Sequence, residues 1–398
     1  MLDADREKFA RDGFLILREL VPHEQLSSLR DSYDLLTERQ RQLLRSKPDS
    51  GPQWEANAQP RIVSTDALID HETSNAVEVW MGDATLAVAQ DLLASPDVGV
   101  SAMQVLCNPL FEAGPAKWHR DVHPIDMGPM QLQQESVVEN GPTYVQLNIP
   151  LYDDEVLWAV PGSHARLNTT AENEQLEENA RVPLPGGVPV DLRAGDGVVY
   201  NNHLLHWGSN YTARAKRRTL HGGYTIFPSW DDISFSTLLS AASRDRFESW
   251  VDRTRQLKDA TERCLRAVQD ADESAYLLGL EFLQPRIGPA GVLQLTIWLC
   301  KAAMHVYLLK SARVEDVANG IFKKATVSHP ISLNWGPDFA ERFSAVEADA
   351  IWRKFAKLDQ RLQATDGEDY VPGYQSGTIP YFLETMDDEF RLNEIFSA

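Results

Sequence analysis

Three side chains in this 398-residue chain have the types and spacing to share one redox-active metal ion. His119 and Asp121 stand in Trp118-His119-Arg120-Asp121, and His206 follows 85 residues after Asp121. Two histidines and one carboxylate bind one face of an iron(II) ion and leave the opposite positions open for a co-substrate and dioxygen. The pair has a geometric rationale: on an extended strand, residues i and i+2 point to one face, about 6.6 Å apart. His123 shares that parity but would lie about 13 Å from His119 on a straight strand, so the third ligand has to come from elsewhere. A bare His-x-Asp is a weak signal, more often a surface ion pair or a turn than a metal site.

The segment from Arg193 to Tyr224 supplies the rest. Gly195-Asp196-Gly197 reads as a turn, Val198 to Tyr200 as a short strand, Asn201-Asn202 as a second turn and Leu204 to Trp207 as another apolar run. His203 and His206 differ by an odd number, so on a common strand they face opposite sides and only one can be a ligand. His206 lies inside the apolar run whereas His203 adjoins the turn, which selects His206. Next comes Arg214-Ala215-Lys216-Arg217-Arg218, the densest basic cluster in a chain of net charge −20. A dianionic co-substrate such as 2-oxoglutarate needs a cationic partner, and the planar fork of arginine suits a carboxylate. If Arg217 faces inward, so do Thr219 and His221, while Arg218 and Leu220 face out. The plain alternative is a solvated strand end, although an interior guanidinium would call for an anion.

Together these residues resemble the phytanoyl-CoA dioxygenase-like (PhyH) family of Fe(II)/2-oxoglutarate-dependent oxygenases. Phe9-Ala10-Arg11-Asp12-Gly13-Phe14-Leu15-Ile16-Leu17, followed by Leu20-Val21, is similar to the family's opening strand and helix. Trp118 to Asp121 is similar to its first metal motif, and Val160-Pro161-Gly162-Ser163-His164 to its Pro-Gly-Ser-His turn. Gly195-Asp196, His206, Asn210 and Arg217 keep the family's order, with Arg217 eleven residues after His206. The likeness covers roughly residues 5 to 228.

The resemblance implies His119, Asp121 and His206 as iron ligands and Arg217 as the anchor of the distal carboxylate of 2-oxoglutarate. It places Gln104 and Gln146 as further polar side chains against that co-substrate, which Thr219 joins by facing inward with Arg217, and gives His164 a structural place in its turn. It also implies an α+β fold with a mainly β core, a double-stranded β-helix (jelly-roll, cupin-like) barrel flanked by helices. The expected activity is that of a dioxygenase using Fe(II), 2-oxoglutarate and O2 to oxidise an unactivated C–H of a small organic substrate, releasing succinate and CO2. Because Asp121 retains the carboxylate that halogenating members replace with a small residue, hydroxylation is expected, with desaturation or ring closure as variants. Two departures stand out: Tyr152-Asp153-Asp154-Glu155 leads straight into Val156-Leu157-Trp158 without the family's Asn-Gly, and about 170 residues follow the barrel.

Composition bounds the remaining classes. With 58 acidic against 38 basic residues, nucleic acid and anionic membranes are poor partners. Cys107, Cys264 and Cys300 are far apart and lack metal spacing, which suits a reducing compartment. The first residues, Met1 to Glu7, carry no apolar signal region, so a cytoplasmic enzyme is expected. Val292 to Leu309 is apolar, but Gln294, Lys301 and His305 interrupt it, as in a buried core helix.

Periodicity predicts helices over 22–46 and 77–93, then strands at 100–107, 117–121, 144–151, 157–160, 188–192, 197–200, 204–208 and 218–227, with 131–140 as a loop. Beyond Pro228 the pattern turns helical, at 234–257, 258–284, 289–311, 313–325 and 337–364. The expected organisation is an oxygenase domain over 1–228 and a helical region over 229–398 that packs on the barrel and offers a surface for a homo-oligomer. A competing class is a cupin-like metal enzyme without oxidation, or a silent small-molecule binding protein; either would bind metal without depending on 2-oxoglutarate, and against both stands an interior Arg217, which without an anion would be an unpaired buried charge. An interaction protein built on the helical region would make the metal residues incidental.

Overall fold

Short apolar runs separated by Gly, Pro, Asn and Asp turns build two antiparallel sheets, while longer Gly-poor stretches build helices. The computed structural model describes residues 2–45, 62–108, 114–122, 128–211, 216–230, 235–285, 287–310, 335, 337–362, 373 and 390–397. His123, Arg214, Ala215 and the helix expected at 313–325 lie outside the described residues. The strands are β1 (Phe14–Leu17), β2 (Ile62–Ser64), β3 (Gly99–Cys107), β4 (Tyr144–Pro150), β5 (Leu157–Ala159), β6 (Val188–Pro189), β7 (Gly197–Asn201), β8 (His206–Gly208) and β9 (Arg218–Thr225). The larger sheet runs β1-β7-β4-β9-β3-β2 and the smaller β6-β5-β8, every pairing antiparallel.

Strand parity divides the larger sheet into two faces. Val145, Leu147 and Ile149 of β4 lie opposite Tyr224, Gly222 and Leu220 of β9, and this face is covered by α2 (His23–Arg45) and the helical turns at 75–81. The Tyr224 hydroxyl donates to the Trp80 carbonyl at 2.6 Å, and Arg218 pairs with Asp34 of α2 at 3.0 Å. The other face is mixed. Its apolar end, Phe14, Ile16, Val198 and Tyr200, packs on Leu157, Ala159, Val188, Val190, Leu192 and Leu204 between the sheets. Burying such side chains contributes about 1.5–3 kcal/mol each, enough to fix the register of the polar end beside them. That polar end consists of Gln146, Asn148, Thr219 and His221.

Several elements differ from expectation. Residues 117–121 form only an isolated bridge at His119, because the partner β8 is three residues long and the chain before it turns. Residues 131–140 are helix α4 (Met130–Asn140), not a loop. Its buried side includes Gln133, Gln134 and Ser136, so burial there does not follow hydrophobicity. A helix at Thr170–Asn179 (α5) was unexpected, although Thr169 and Glu172 form a capping box at its start. The helix expected over 77–93 breaks at Gly82, whose extended backbone separates the turns at 75–81 from α3 (Asp83–Leu92). The remaining labelled helices are α1 (Asp3–Asp12), α6 (Ala241–Gln269), α7 (Glu273–Leu283), α8 (Pro289–Lys310) and α9 (Ala345–Leu362).

The chain divides into two compact units, each discontinuous in sequence. The first comprises Met1–Asp121, Thr143–His164 and Asn168–Val251, and contains both sheets. The second comprises Val122–Pro142, Ala165–Leu167 and Asp252–Ala398. Within the second, α8 packs against α4 and α9, and Lys301 forms a buried 2.7 Å ion pair with Asp359. By length and composition α8 could cross a membrane, but 61% of its apolar window is buried, as in a core helix.

Candidate metal centre

His119 and His206 are brought face to face by their backbones. Each amide donates to the other's carbonyl at 2.9 Å, so the rings lie with centroids 4.4 Å apart. The Nδ1 of His119 contacts the Lys117 carbonyl at 2.8 Å, and the Nδ1 of His206 contacts that of Leu204 at 2.9 Å. A carbonyl only accepts, so both Nδ1 atoms carry the proton and both Nε2 atoms turn inward. They turn towards Asp121: His119 Nε2 is 3.4 Å from Oδ1, and His206 Nε2 is 3.2 Å from Oδ2.

The Asp121 amide donates to the Asn202 carbonyl at 2.9 Å, at a bend in the chain. All three ligand atoms lie within 4.8 Å of one another. Adjacent corners of an octahedron with bonds of about 2.1 Å are roughly 3 Å apart, so this donor set fits a divalent transition ion. Burial disfavours the charge on Asp121, but the imidazoles, His206 above all, outweigh it and hold the carboxyl well below its usual range. Two inward imidazole nitrogens around an anion require a positive charge between them, carried by a proton or a metal.

A chain of amides and one further imidazole fixes the carboxylate from behind. Gln146 Nε2 donates to Asp121 Oδ2 at 2.8 Å and to His221 Nε2 at 3.3 Å, while His221 Nδ1 donates to Asn148 Oδ1 at 2.7 Å. Burial pushes His221 down to about 4, so it is neutral near pH 7 and can accept at Nε2 while donating at Nδ1. Strand register creates the chain, since Asn148 and Gly223 sit opposite His221 and Gln146 respectively. Gly223 is required there: a Cβ would strike the hydroxyl and ring edge of the buried Tyr144.

The Pro-Gly-Ser-His turn braces both ligand segments. The Ser163 hydroxyl accepts from the Leu205 amide at 2.8 Å, and the Ser163 carbonyl accepts from Arg120 Nη2 at 3.2 Å. His164 donates through Nε2 to the Ala10 carbonyl at 3.1 Å and lies against Gly13, where a Cβ would come within 2.4 Å of the imidazole. Gly13 has φ of +81°, a conformation that favours glycine on its own account. The opening motif and the turn are thus one packed unit. Trp118 and Trp207 stack 5.4 Å apart behind the ligands, with Trp158 edge-on to Trp207.

At the far end of the same face, Arg217 and Thr219 come together on a carboxylate that the sequence reading missed. Arg217 Nε donates to Asp154 Oδ2 at 2.8 Å, and the Thr219 hydroxyl donates to the same oxygen. Asp154 Oδ1 accepts from the Val156 amide at 2.9 Å. Burial opposes the charge on Asp154, yet the Arg217 cation and the Thr219 hydrogen bond prevail and lower its pKa. The anion demanded by an interior Arg217 is therefore supplied by the chain itself, which removes that demand as an argument against a non-oxidative metal protein.

The other expected site residues are placed as follows. Gln146 is engaged by Asp121 and His221. Gln104 is half-buried in the row opposite His221 and makes no side-chain hydrogen bond among the described residues. His203 lies outside the cluster, with Nδ1 3.1 Å from Asn201 Oδ1. Asn148 and Tyr200 were not anticipated; the Tyr200 ring meets His206 edge-on at 5.2 Å. Strand parity with Gln146 could have found Asn148.

The profile of the phytanoyl-CoA dioxygenase (PhyH) family matches residues 9–219, a little over half of the chain. No curated protein sequence matches significantly. Among solved structures, AviO1 from Streptomyces viridochromogenes Tue57 is similar at 24% identity and TM-score 0.41, over 56% of this chain and 93% of that one. EctD from S. alaskensis in its apoform is similar at 16% identity and TM-score 0.42, over 56% and 77%. HygX from Streptomyces hygroscopicus, solved with nickel, 2-oxoglutarate and hygromycin B, is similar at 16% identity and TM-score 0.40, over 56% and 87%. With its ligand motif, its turn and its Arg217 inside the matched span, the chain belongs to the phytanoyl-CoA dioxygenase family of iron(II)/2-oxoglutarate-dependent oxygenases.

Proposed function

We propose that the protein is an Fe(II)/2-oxoglutarate-dependent dioxygenase that hydroxylates an unactivated C–H of a small organic substrate, with succinate and CO2 as co-products. The observation that carries this reading is the convergence of His119 Nε2, His206 Nε2 and an Asp121 oxygen on one point, within a family match that spans all three. We read the two sheets as halves of a double-stranded β-helix, and residues 229–398 as a separate, mainly helical region.

His119, Asp121 and His206 would hold the iron, and Arg217 with Thr219 would meet the distal carboxylate of 2-oxoglutarate. When bound, the iron and 2-oxoglutarate supply the oxidising power by which O2 attacks the substrate. The chain's own work is positional. The Lys117 and Leu204 carbonyls fix the imidazole tautomers, while Gln146 holds Asp121 and is itself oriented by His221 and Asn148. Partners placed behind metal ligands in this way raise their basicity and set their direction. Retention of a carboxylate at 121 favours hydroxylation over halogenation.

The test is anaerobic: protein mixed with Fe(II) and 2-oxoglutarate should develop a weak visible charge-transfer band, and aerobic turnover should release succinate. Well-folded protein that shows neither would refute the reading. Metal binding with no dependence on 2-oxoglutarate would instead indicate a non-oxidative cupin-like enzyme or a silent binding protein, a reading to which the self-supplied anion at Arg217 gives room. A screen of small organic compounds for stimulated succinate release would identify the substrate.

A further inference from the structure

Both donors assigned to the distal carboxylate of 2-oxoglutarate are engaged by a carboxylate belonging to the chain. Asp154 Oδ2 receives Arg217 Nε and the Thr219 hydroxyl together, and Asp154 and Arg217 are 6% and 7% exposed. The Asp154 backbone cannot easily retreat, since it exchanges hydrogen bonds of 2.9 and 3.0 Å with Leu192 in both directions. The Nη1/Nη2 edge of Arg217 makes no hydrogen bond among the described residues, so the guanidinium is half engaged.

In charge terms the pair is neutral. A second carboxylate arriving at Arg217 would place two anions on one cation in a buried setting, where like charges repel strongly and solvent screens little. The arriving group would also find the Thr219 hydroxyl already donated.

We propose that Asp154 is an internal competitor for the co-substrate anchor, weakening 2-oxoglutarate binding until its side chain yields Thr219 and the Nε of Arg217. The proposal rests on the reading that Arg217 anchors 2-oxoglutarate. It makes Asp154 a determinant of the co-substrate concentration at which the enzyme works.

The experiment is an anaerobic titration of Fe(II)-loaded protein with 2-oxoglutarate, followed by the charge-transfer band. Asp154→Asn keeps the side chain's size and an acceptor for the Val156 amide while removing the charge, and its Kd for 2-oxoglutarate should fall at least tenfold. The Kd for 2-oxobutyrate, which has no distal carboxylate, should change by less than twofold, a selectivity that a general structural effect would not produce. An unchanged or raised Kd for 2-oxoglutarate in Asp154→Asn overturns the competition. Arg217→Gln separates the two readings: if it binds 2-oxoglutarate like wild type, the anchor assignment itself has failed; if it binds weakly while Asp154→Asn does not tighten, only the competition has failed. Should Asp154→Asn not fold, the wild-type structure with Fe(II) and 2-oxoglutarate decides. Displacement of Asp154 from Thr219 supports the proposal, and retention of both its bonds overturns it.

Discussion

Asp121, half-buried with 18% of its side chain exposed, and Asp154, 5% exposed, are two carboxylates that meet the same sheet face in different ways. Asp121 meets two imidazoles, whose charge depends on what they bind, and a neutral amide. Asp154 meets a permanent cation and a hydroxyl. The first arrangement is built to share its charge with an arriving ion, whereas the second is already neutralised. A buried acidic residue is therefore no guide to a metal site by itself; the partners decide, and imidazoles with committed Nδ1 atoms mark the metal end.

The contrast can be broken most severely at the metal end. His206→Ala should abolish Fe(II) binding in equilibrium titration while His203→Ala leaves it intact, and the reverse result would exchange their roles. At the other end, Arg217→Met should weaken 2-oxoglutarate roughly 100-fold through loss of a charge-assisted fork, whereas Arg218→Met, on the opposite face against Asp34, should change it by less than about threefold. Equal losses would show that general positive charge, not the inward position, binds the co-substrate. A smaller effect sharpens the role of the amide: Gln146→Leu should cost about 10-fold in Fe(II) affinity by freeing Asp121 to rotate, with folding judged separately by thermal melting. Unaltered affinity would leave Gln146 as packing alone.

The mildest effect concerns pH. Asp154 has a folded-state pKa below its unfolded value, so its contribution to stability is present above about pH 4 and is lost as pH falls through the lower, folded value. Urea unfolding of wild type across that acid range should show stability declining with falling pH, and Asp154→Asn should remove that part of the slope. An identical slope in the variant would assign the acid sensitivity to other carboxylates.

What could be read from the chain alone follows the range of each interaction. The Asn-Asn turn set His203 apart from His206, and the structure leaves His203 in that turn, outside β8; parity put Arg217, Thr219 and His221 on one face because alternation is local to a strand. Partners were harder. Asp154 sits between Asp153 and Glu155 and reads as part of a solvated connector; its burial depends on Leu192 and Arg217, far along the chain. Gln146 is expected against the co-substrate, whereas its amide goes to Asp121, a partner that nothing local to its strand announces. Helix α4 was read as a loop because Gln133, Gln134 and Ser136 are buried through hydrogen bonds and packing, which no apolar pattern announces.

The outer positions of the larger sheet are held by its two shortest strands, β1 with four residues and β2 with three. Flanks this brief present little unpaired backbone as a template for another chain, which guards against edge-to-edge aggregation. Among the described residues, the protection on one side is carried by the N-terminal strand β1. Trimming through Leu17 would uncover β7, whose five residues are all buried, and would turn a well-covered strand into a sticky border.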